Sequence, residues 1–149
     1  LIEYATFFGS IQIFNYLKLN DVELTPILWL FAIHGKNAEI IHLLEENQIN
    51  PEYESYDQCL KESIKCHHND ITAYIQNKYI IKDNSNYIMV NSLKYYNLYF
   101  EQNDIFNNLS FYYLCEYDYY KLADILLKEK DININSKIIY TKTFNTIFI

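Results

Sequence analysis

Glycine and proline are scarce in this 149-residue chain, which contains two of each. Tight β-hairpin turns depend on residues with positive φ, usually glycine, so an all-β sandwich is disfavoured and helices are favoured. The two glycines, Gly9 and Gly35, are too far apart to build a phosphate-binding loop, a dinucleotide-binding motif or the glycine-flanked serine of hydrolases. The chain therefore lacks the common glycine-dependent signatures of catalysis.

Cationic side chains are also few, since 12 lysines and arginines face 19 aspartates and glutamates and the formal net charge is −7. Each contact with a phosphate backbone needs a cation, so we expect no nucleic acid partner. No segment approaches the roughly 20 apolar residues of a membrane-spanning helix, and the N-terminus lacks the basic start of a signal peptide. We therefore expect a soluble, intracellular, cytoplasmic protein without membrane association. Leu1 falls within a predicted helix, which suggests a segment of a longer polypeptide.

The three cysteines, Cys59, Cys66 and Cys115, are an odd number and too sparse for a disulfide scaffold, so we expect reduced thiols. Together with His67 and His68, the first two are the nearest approach to a metal cluster. Cys59 and Cys66 lie two helical turns apart, roughly 10 Å along the axis, so one tetrahedral ion cannot bind both. Cys66 and His67 point about 100° apart on a helix, which disfavours a nucleophile–base pair. The sequence thus predicts no catalytic residue, no metal and no cofactor.

An apolar run, a tight break and a second apolar run recur four times along the chain. The copies span residues 4–17, 31–44, 62–75 and 113–126. Apolar residues at i, i+3, i+4 and i+7 on both sides of the break predict two short antiparallel helices with one buried side. The predicted helix pairs cover residues 1–8 and 10–19, 27–34 and 37–47, 56–66 and 69–79, and 109–117 and 119–129.

The breaks between paired helices align at Gly9, Lys36, His67 and Asp118. The sequence interval from His67 to Asp118 is too long for one repeat of about 33 residues and too short for two. An incomplete or reshaped repeat is therefore expected within residues 81–108, where residues 90–100 still have the pattern of a helix.

The second and last repeats carry residues typical of one repeat family: Thr25-Pro26, Ala32, Glu39-Ile40-Ile41 and Leu43-Leu44, then Leu126-Leu127 with Asp131-Ile132-Asn133. On these residues the chain resembles the ankyrin repeats. Residues 1–80, with EYATFFGSIQIFNYL, LWLFAIHGKNAEIIHLLEEN and CLKESIKCHHNDITAYI, also resemble a domain of unknown function that precedes ankyrin repeats in large protist protein families. In the ankyrin register Trp29 replaces a buried leucine, so we expect it in the core.

The resemblance implies an all-α, ankyrin-like solenoid of helix-turn-helix repeats that forms a single array over residues 1–149. Residues 1–80 would hold three divergent repeats and residues 81–108 an irregular segment. A fourth recognisable repeat would follow at 109–136, and an incomplete further one would begin at 137–149. Because a solenoid end without a polar cap exposes apolar surface, the ends predict self-association.

Such repeats imply a non-catalytic scaffold that binds a protein partner through its concave face and loop tips. The register places eight residues on that face, although packing between repeats is an alternative for some of them: Tyr4, Phe7, Phe31, His34, Glu62, Lys65, Tyr113 and Glu116. The loop tips lie at residues 20–23, 52–54 and 131–133.

Two other hypotheses stay open. The chain would be a regulatory or assembly segment of a larger polypeptide whose catalytic domain lies elsewhere, or a metal-dependent or thiol enzyme built on Cys66 and His67.

Overall fold

The protein is all-α, as the sequence predicts. The computed structural model describes residues 1–52, 55–80, 84–100 and 108–129, and this part of the chain contains helices and no strand. None of the described helices is long and apolar enough to cross a membrane. The chain divides into two compact units, Leu1–Glu101 and Gln102–Ile149.

The first unit contains seven α-helices in its described part, followed by a short 3-10 helix at Leu98–Phe100. Their bounds are α1 Ile2–Phe7, α2 Ile11–Leu19, α3 Leu28–His34, α4 Ala38–Glu46, α5 Asp57–Lys65, α6 Asn69–Tyr79 and α7 Ser85–Lys94. The described helices of the second unit are α8, Asn108–Glu116, and α9, Tyr120–Glu129. The four helix pairs predicted from the apolar pattern agree with these bounds to within one residue at each end.

The helices of the first unit are stacked in pairs. Within each pair α1 contacts α2, α3 contacts α4 and α5 contacts α6. The first helices of successive pairs also contact one another, in the order α1, α3, α5 and α7, and α2 contacts α4. The amphipathic pattern explains this arrangement, because one helix pair cannot bury its apolar side alone and each added pair covers the previous one.

Each of the four turns between paired helices, and the turn that follows α7, has a residue with positive φ. These residues are Gly9 (65°), Lys36 (49°), His67 (59°), Tyr96 (56°) and Asp118 (63°). In four of these turns the following residue donates its backbone N–H to a carbonyl in the last turn of the helix, as in Ser10 to Ala5 at 2.8 Å. This is a Schellman-type helix end, which satisfies carbonyls that the helix leaves unpaired.

Side chains in these turns also join neighbouring pairs in the first unit. Asn37 donates its side-chain amide to the carbonyl of Gly9 at 3.0 Å. Nδ1 of His68 lies 2.8 Å from the carbonyl oxygen of Ile33. Asn97 donates to the carbonyl of Ile64 at 2.9 Å. Each of these three residues directly follows a positive-φ residue. The same kind of side-chain contact to a backbone carbonyl therefore links each turn to the preceding helix pair, from α1 to α7.

The irregular segment expected at residues 81–108 contains part of a regular repeat. Helix α7 packs on α5, and the turn at Tyr96 is equivalent to those at Gly9 and His67. The helix predicted over residues 90–100 is wrong in its limits, because α7 begins at Ser85 and ends at Lys94. Several other predicted features lie outside the described residues, namely residues 101–107, the loop-tip residues Tyr53 and Glu54, the loop at 131–133 and the incomplete repeat at 137–149.

Trp29 lies in the core, as its position in the repeat predicts. Its side chain is fully buried, and its indole N–H donates to the carbonyl of Ile49 at 2.6 Å. The rings of Tyr56 and Tyr79 contact it edge-on, with centroids 5.2 and 6.0 Å away. Trp29 thus connects α3 to the first part of the loop after α4 and to the following helix pair.

Glu45, near the end of α4, is the polar link between α4 and α6. Its carboxylate accepts hydrogen bonds from the hydroxyls of Tyr74, at 2.7 Å, and Tyr79, and from Nζ of Lys78 at 2.9 Å. Burial by itself would raise the pKa of Glu45, but the hydrogen bonds from Tyr79, Lys78, Tyr74 and His42 outweigh it and lower the pKa to about 2.

The Glu45 link predicts a pH-dependent contribution to stability. A carboxylate whose pKa is lower in the folded protein stabilises it above the unfolded pKa of 4.5, and this stabilisation disappears as the pH falls towards 2. At pH 7 we expect Glu45→Gln to reduce the free energy of unfolding by about 2 kcal/mol, the cost of losing charged hydrogen bonds. In urea titrations the difference in free energy of unfolding between wild type and Glu45→Gln should become smaller below about pH 4.5. The control is Glu46→Gln, because Glu46 is an exposed neighbour on α4. If the difference in free energy of unfolding between wild type and Glu45→Gln stayed constant down to about pH 3, this account would be contradicted.

Candidate partner-binding site

Six of the eight residues predicted to face a partner lie at equivalent positions of three successive first helices. Tyr4, Phe31 and Glu62 occupy one position of α1, α3 and α5, and Phe7, His34 and Lys65 occupy the position one turn later. Because α1 contacts α3 and α3 contacts α5, these positions run across the stacked helices. We call these six residues the first-helix stripe.

Side chains of the stripe contact one another across the helix pairs. The ring of Phe7 lies edge-on to Phe31, with centroids 6.3 Å apart, and 5.0 Å from the imidazole of His34. Nε2 of His34 lies 2.6 Å from Oε1 of Glu62, and Nζ of Lys65 donates to the same oxygen at 3.0 Å. The stripe therefore changes from aromatic on α1 to charged on α5.

The stripe is partly exposed and partly packed. Tyr4 and Phe7 are 68% and 39% exposed, whereas Phe31, His34 and Glu62 are half-buried. Packing between helix pairs therefore applies to Phe31, His34 and Glu62, and partner binding stays a prediction for all six residues. Tyr4 and Phe7 offer aromatic surface to solvent, and the rings of Phe31 and His34 on α3 contact that of Phe7.

The other two predicted residues belong to the second unit. Tyr113 lies on α8, is half-buried and stacks on Tyr117 with ring centroids 5.9 Å apart. Glu116 is the last residue of α8 and is exposed. Of the predicted loop tips, Asn20, Asp21, Glu23 and Glu52 are exposed.

The cysteines and histidines considered for metal binding from the sequence do not form one site. Cys59 is fully buried, and burial raises the pKa of its thiol to about 12. Nε2 of His67 lies 3.1 Å from the carbonyl oxygen of Tyr95, and His68 is engaged with Ile33. These three side chains therefore have structural roles in the core and the turns.

Cys66 has a different set of neighbours, which comes from the stripe. Its Sγ lies 3.4 Å from Nδ1 of His34 and 3.9 Å from Oε1 of Glu62. Sequence spacing did not indicate this cluster, because His34 belongs to the preceding helix pair. The signal that could have revealed it is the repeat register, which places the ends of α3 and α5 side by side.

Cys66 does not have the environment of an activated nucleophile. Burial raises the pKa of its thiol, and the negative charge of Glu62 raises it further, against an opposing effect of Lys65. Reactive cysteines need the opposite shift, because the thiolate is the nucleophile. The pKa shift of the Cys66 thiol is therefore opposite to that of an activated cysteine.

Residues 19–101 match the family described as Domain of unknown function (DUF3447). The match covers more than half of the chain, which therefore belongs to this family, and it ends where the first compact unit ends. No curated protein and no solved structure matches the chain. The prediction of a domain of unknown function is thereby confirmed, but its predicted bounds of 1–80 differ from the match, which leaves out residues 1–18 and extends beyond residue 80 to include α7. The ankyrin resemblance and a protist origin are not part of this finding.

Proposed function

We propose that the chain is a non-catalytic protein-interaction module, an ankyrin-like stack of helix pairs that binds a protein partner through the first-helix stripe. The observation that carries the proposal is the exposure of Tyr4 and Phe7 beside the half-buried Phe31 and His34. An exposed aromatic ring that already packs on a neighbouring helix loses little side-chain freedom when a partner binds. It therefore provides contact area as interface anchors do.

The charges of the chain support a protein as the partner. The net charge of −7 opposes binding to a phosphate backbone. On α5 the stripe presents Glu62 and Lys65 together, so a polar partner group has both an acceptor and a donor within reach. We therefore expect a protein surface with an apolar side chain for Tyr4 and Phe7 and a polar group for the α5 end.

Self-association is a second candidate interaction, and a specific observation favours it. On α2 the side chains of Ile13, Tyr16 and Leu19 are 52%, 66% and 84% exposed, and Leu1 before α1 is 82% exposed. The three α2 residues are spaced at i, i+3 and i+6, so they share one side of the helix. An apolar helix face of this kind is typical of a solenoid end that another helix pair covers.

Photo-crosslinking in cells tests the partner-binding proposal. A photoreactive phenylalanine analogue replaces either Phe7 on the stripe or Glu39, an exposed residue on α4. We expect the Phe7 position to form an adduct with a discrete protein and the Glu39 position to form none. Adding Lys65→Glu, which reverses a charge on the stripe, should remove the Phe7 adduct without changing the helical circular dichroism spectrum. Identical adducts at both positions, or an adduct that is insensitive to Lys65→Glu, would contradict the proposal.

A further inference from the structure

Three side chains with metal-binding atoms converge at the C-terminal ends of α3 and α5. They are His34, Glu62 and Cys66, and their candidate ligand atoms all lie within 4.8 Å of one another. His34 ends α3, Glu62 lies one turn before the end of α5, and Cys66 directly follows α5. The contact between α3 and α5 therefore creates the cluster, and its members come from two neighbouring helix pairs.

The chemistry of the three groups suits a borderline-soft divalent ion such as Zn²⁺. Imidazole nitrogen, thiolate sulfur and carboxylate oxygen are the ligand types that zinc uses, with bonds of about 2.0–2.3 Å in a tetrahedral arrangement. Such bonds place neighbouring ligand atoms roughly 3.5 Å apart. The observed separations of 3.4 Å, from Sγ to Nδ1, and 3.9 Å, from Sγ to Oε1, are close to that value.

Two features must change when an ion enters. Oε1 of Glu62 lies 2.6 Å from Nε2 of His34, and this direct contact must break before an ion can bind both residues. Lys65 also pairs with Glu62, but its side chain is 47% exposed and can move into solvent at little cost. A thiolate and a carboxylate together carry two negative charges, which balance a divalent cation. Metal binding replaces the proton on the Cys66 thiol, as it does for cysteine ligands in general.

We propose that one ring nitrogen of His34, Sγ of Cys66 and a carboxylate oxygen of Glu62 bind a single Zn²⁺ or a similar transition-metal ion. All three residues are half-buried, which leaves a fourth coordination position facing solvent for water or another ligand. The site differs from the cysteine–histidine set considered from the sequence, and it does not depend on the protein partner proposed above. The bound ion links the end of α3 to the end of α5.

Titration of the full chain with Co²⁺, followed by absorption spectroscopy, tests the site. We expect one equivalent of Co²⁺ to produce a thiolate-to-cobalt charge-transfer band in the near ultraviolet, and one equivalent of Zn²⁺ to remove it. Cys66→Ser should abolish the band, and His34→Gln should weaken Co²⁺ binding at least about tenfold. Cys115→Ser is the control, because Cys115 is an exposed thiol outside the cluster, and it should leave the band unchanged. A band that survives Cys66→Ser, or no thiolate band at saturating Co²⁺, would overturn the proposal.

A second measurement uses only the wild-type chain and therefore does not depend on the folding of a variant. The thiols are alkylated with and without Zn²⁺, and the rate at each cysteine is measured by peptide mass spectrometry. We expect Zn²⁺ to slow alkylation of Cys66 at least about tenfold and to leave the exposed Cys115 almost unaffected, because a metal-bound thiolate is a weaker nucleophile. Equal protection of the two cysteines, or no protection of Cys66, would show that His34, Glu62 and Cys66 do not bind the ion.

Discussion

Trp29→Ala is expected to reduce the free energy of unfolding by about 4 kcal/mol, within the range for removal of a buried aromatic side chain. The Trp29 side chain is fully buried, and its rings pack edge-on against Tyr56 and Tyr79. Truncation leaves a cavity between two helix pairs and also leaves the carbonyl of Ile49 without its 2.6 Å donor.

Urea unfolding followed by circular dichroism measures this loss, since the sequence contains a single tryptophan and its fluorescence disappears with it. Trp29→Phe keeps an aromatic ring and removes the N–H donor, so we expect an intermediate loss of about 2 kcal/mol. Glu39→Ala, an exposed change on α4, should remain within about 0.5 kcal/mol. A loss below about 1 kcal/mol for Trp29→Ala would show that the stack does not depend on this residue.

Gly35→Ala should have the second-largest effect, a loss of about 3 kcal/mol from overpacking. A Cβ at Gly35 would lie 2.4 Å from the carbonyl oxygen of Thr6 and 2.8 Å from the backbone nitrogen of Gly9. The φ of Gly35 is −67°, which alanine adopts without strain, so the cost is entirely steric. These neighbours are backbone atoms of the preceding helix pair, and they cannot yield without separating α1 from α3.

The matched control is Lys36→Ala in the same turn, where the side chain is exposed and makes only a 4.0 Å ion pair with Asp70. We expect a change within about 0.5 kcal/mol for that variant. Thermal unfolding of the two variants against wild type provides the comparison. If Gly35→Ala were as stable as Lys36→Ala, the backbone of Gly35 would not lie as close to Thr6 and Gly9 as described.

The apolar pattern predicted most helices correctly and failed at α7. In the predicted pairs the buried polar residues, such as Thr6, Ser63 and Thr72, occur one at a time among apolar ones, and the apolar pattern repeats at helical spacing. Helix α7 instead buries the polar residues Asn91 and Ser92, which interrupts that pattern and hid the repeat between His67 and Asp118. The turn chemistry was equally hidden, because Lys36, His67 and Tyr96 adopt positive φ where glycine is the usual residue.

The candidate sites were predictable to different degrees. The repeat register placed Phe7 and His34 at equivalent positions, and their rings contact one another at 5.0 Å. Spacing along the sequence relates Cys66 only to its near neighbours Cys59, His67 and His68. Contacts between equivalent helix ends bring Cys66 to His34, and local spacing does not contain that information.

Isothermal titration calorimetry with the partner identified by crosslinking is the most direct test of the proposal that the first-helix stripe binds a protein. Phe7→Ala removes a 39%-exposed ring from the stripe, and Glu39→Ala removes an exposed side chain from α4. We predict that Phe7→Ala weakens binding by more than about tenfold, as loss of an interface anchor does. Glu39→Ala should change the affinity less than about twofold. Equal affinities for wild type and Phe7→Ala, both folded by circular dichroism, would contradict the account.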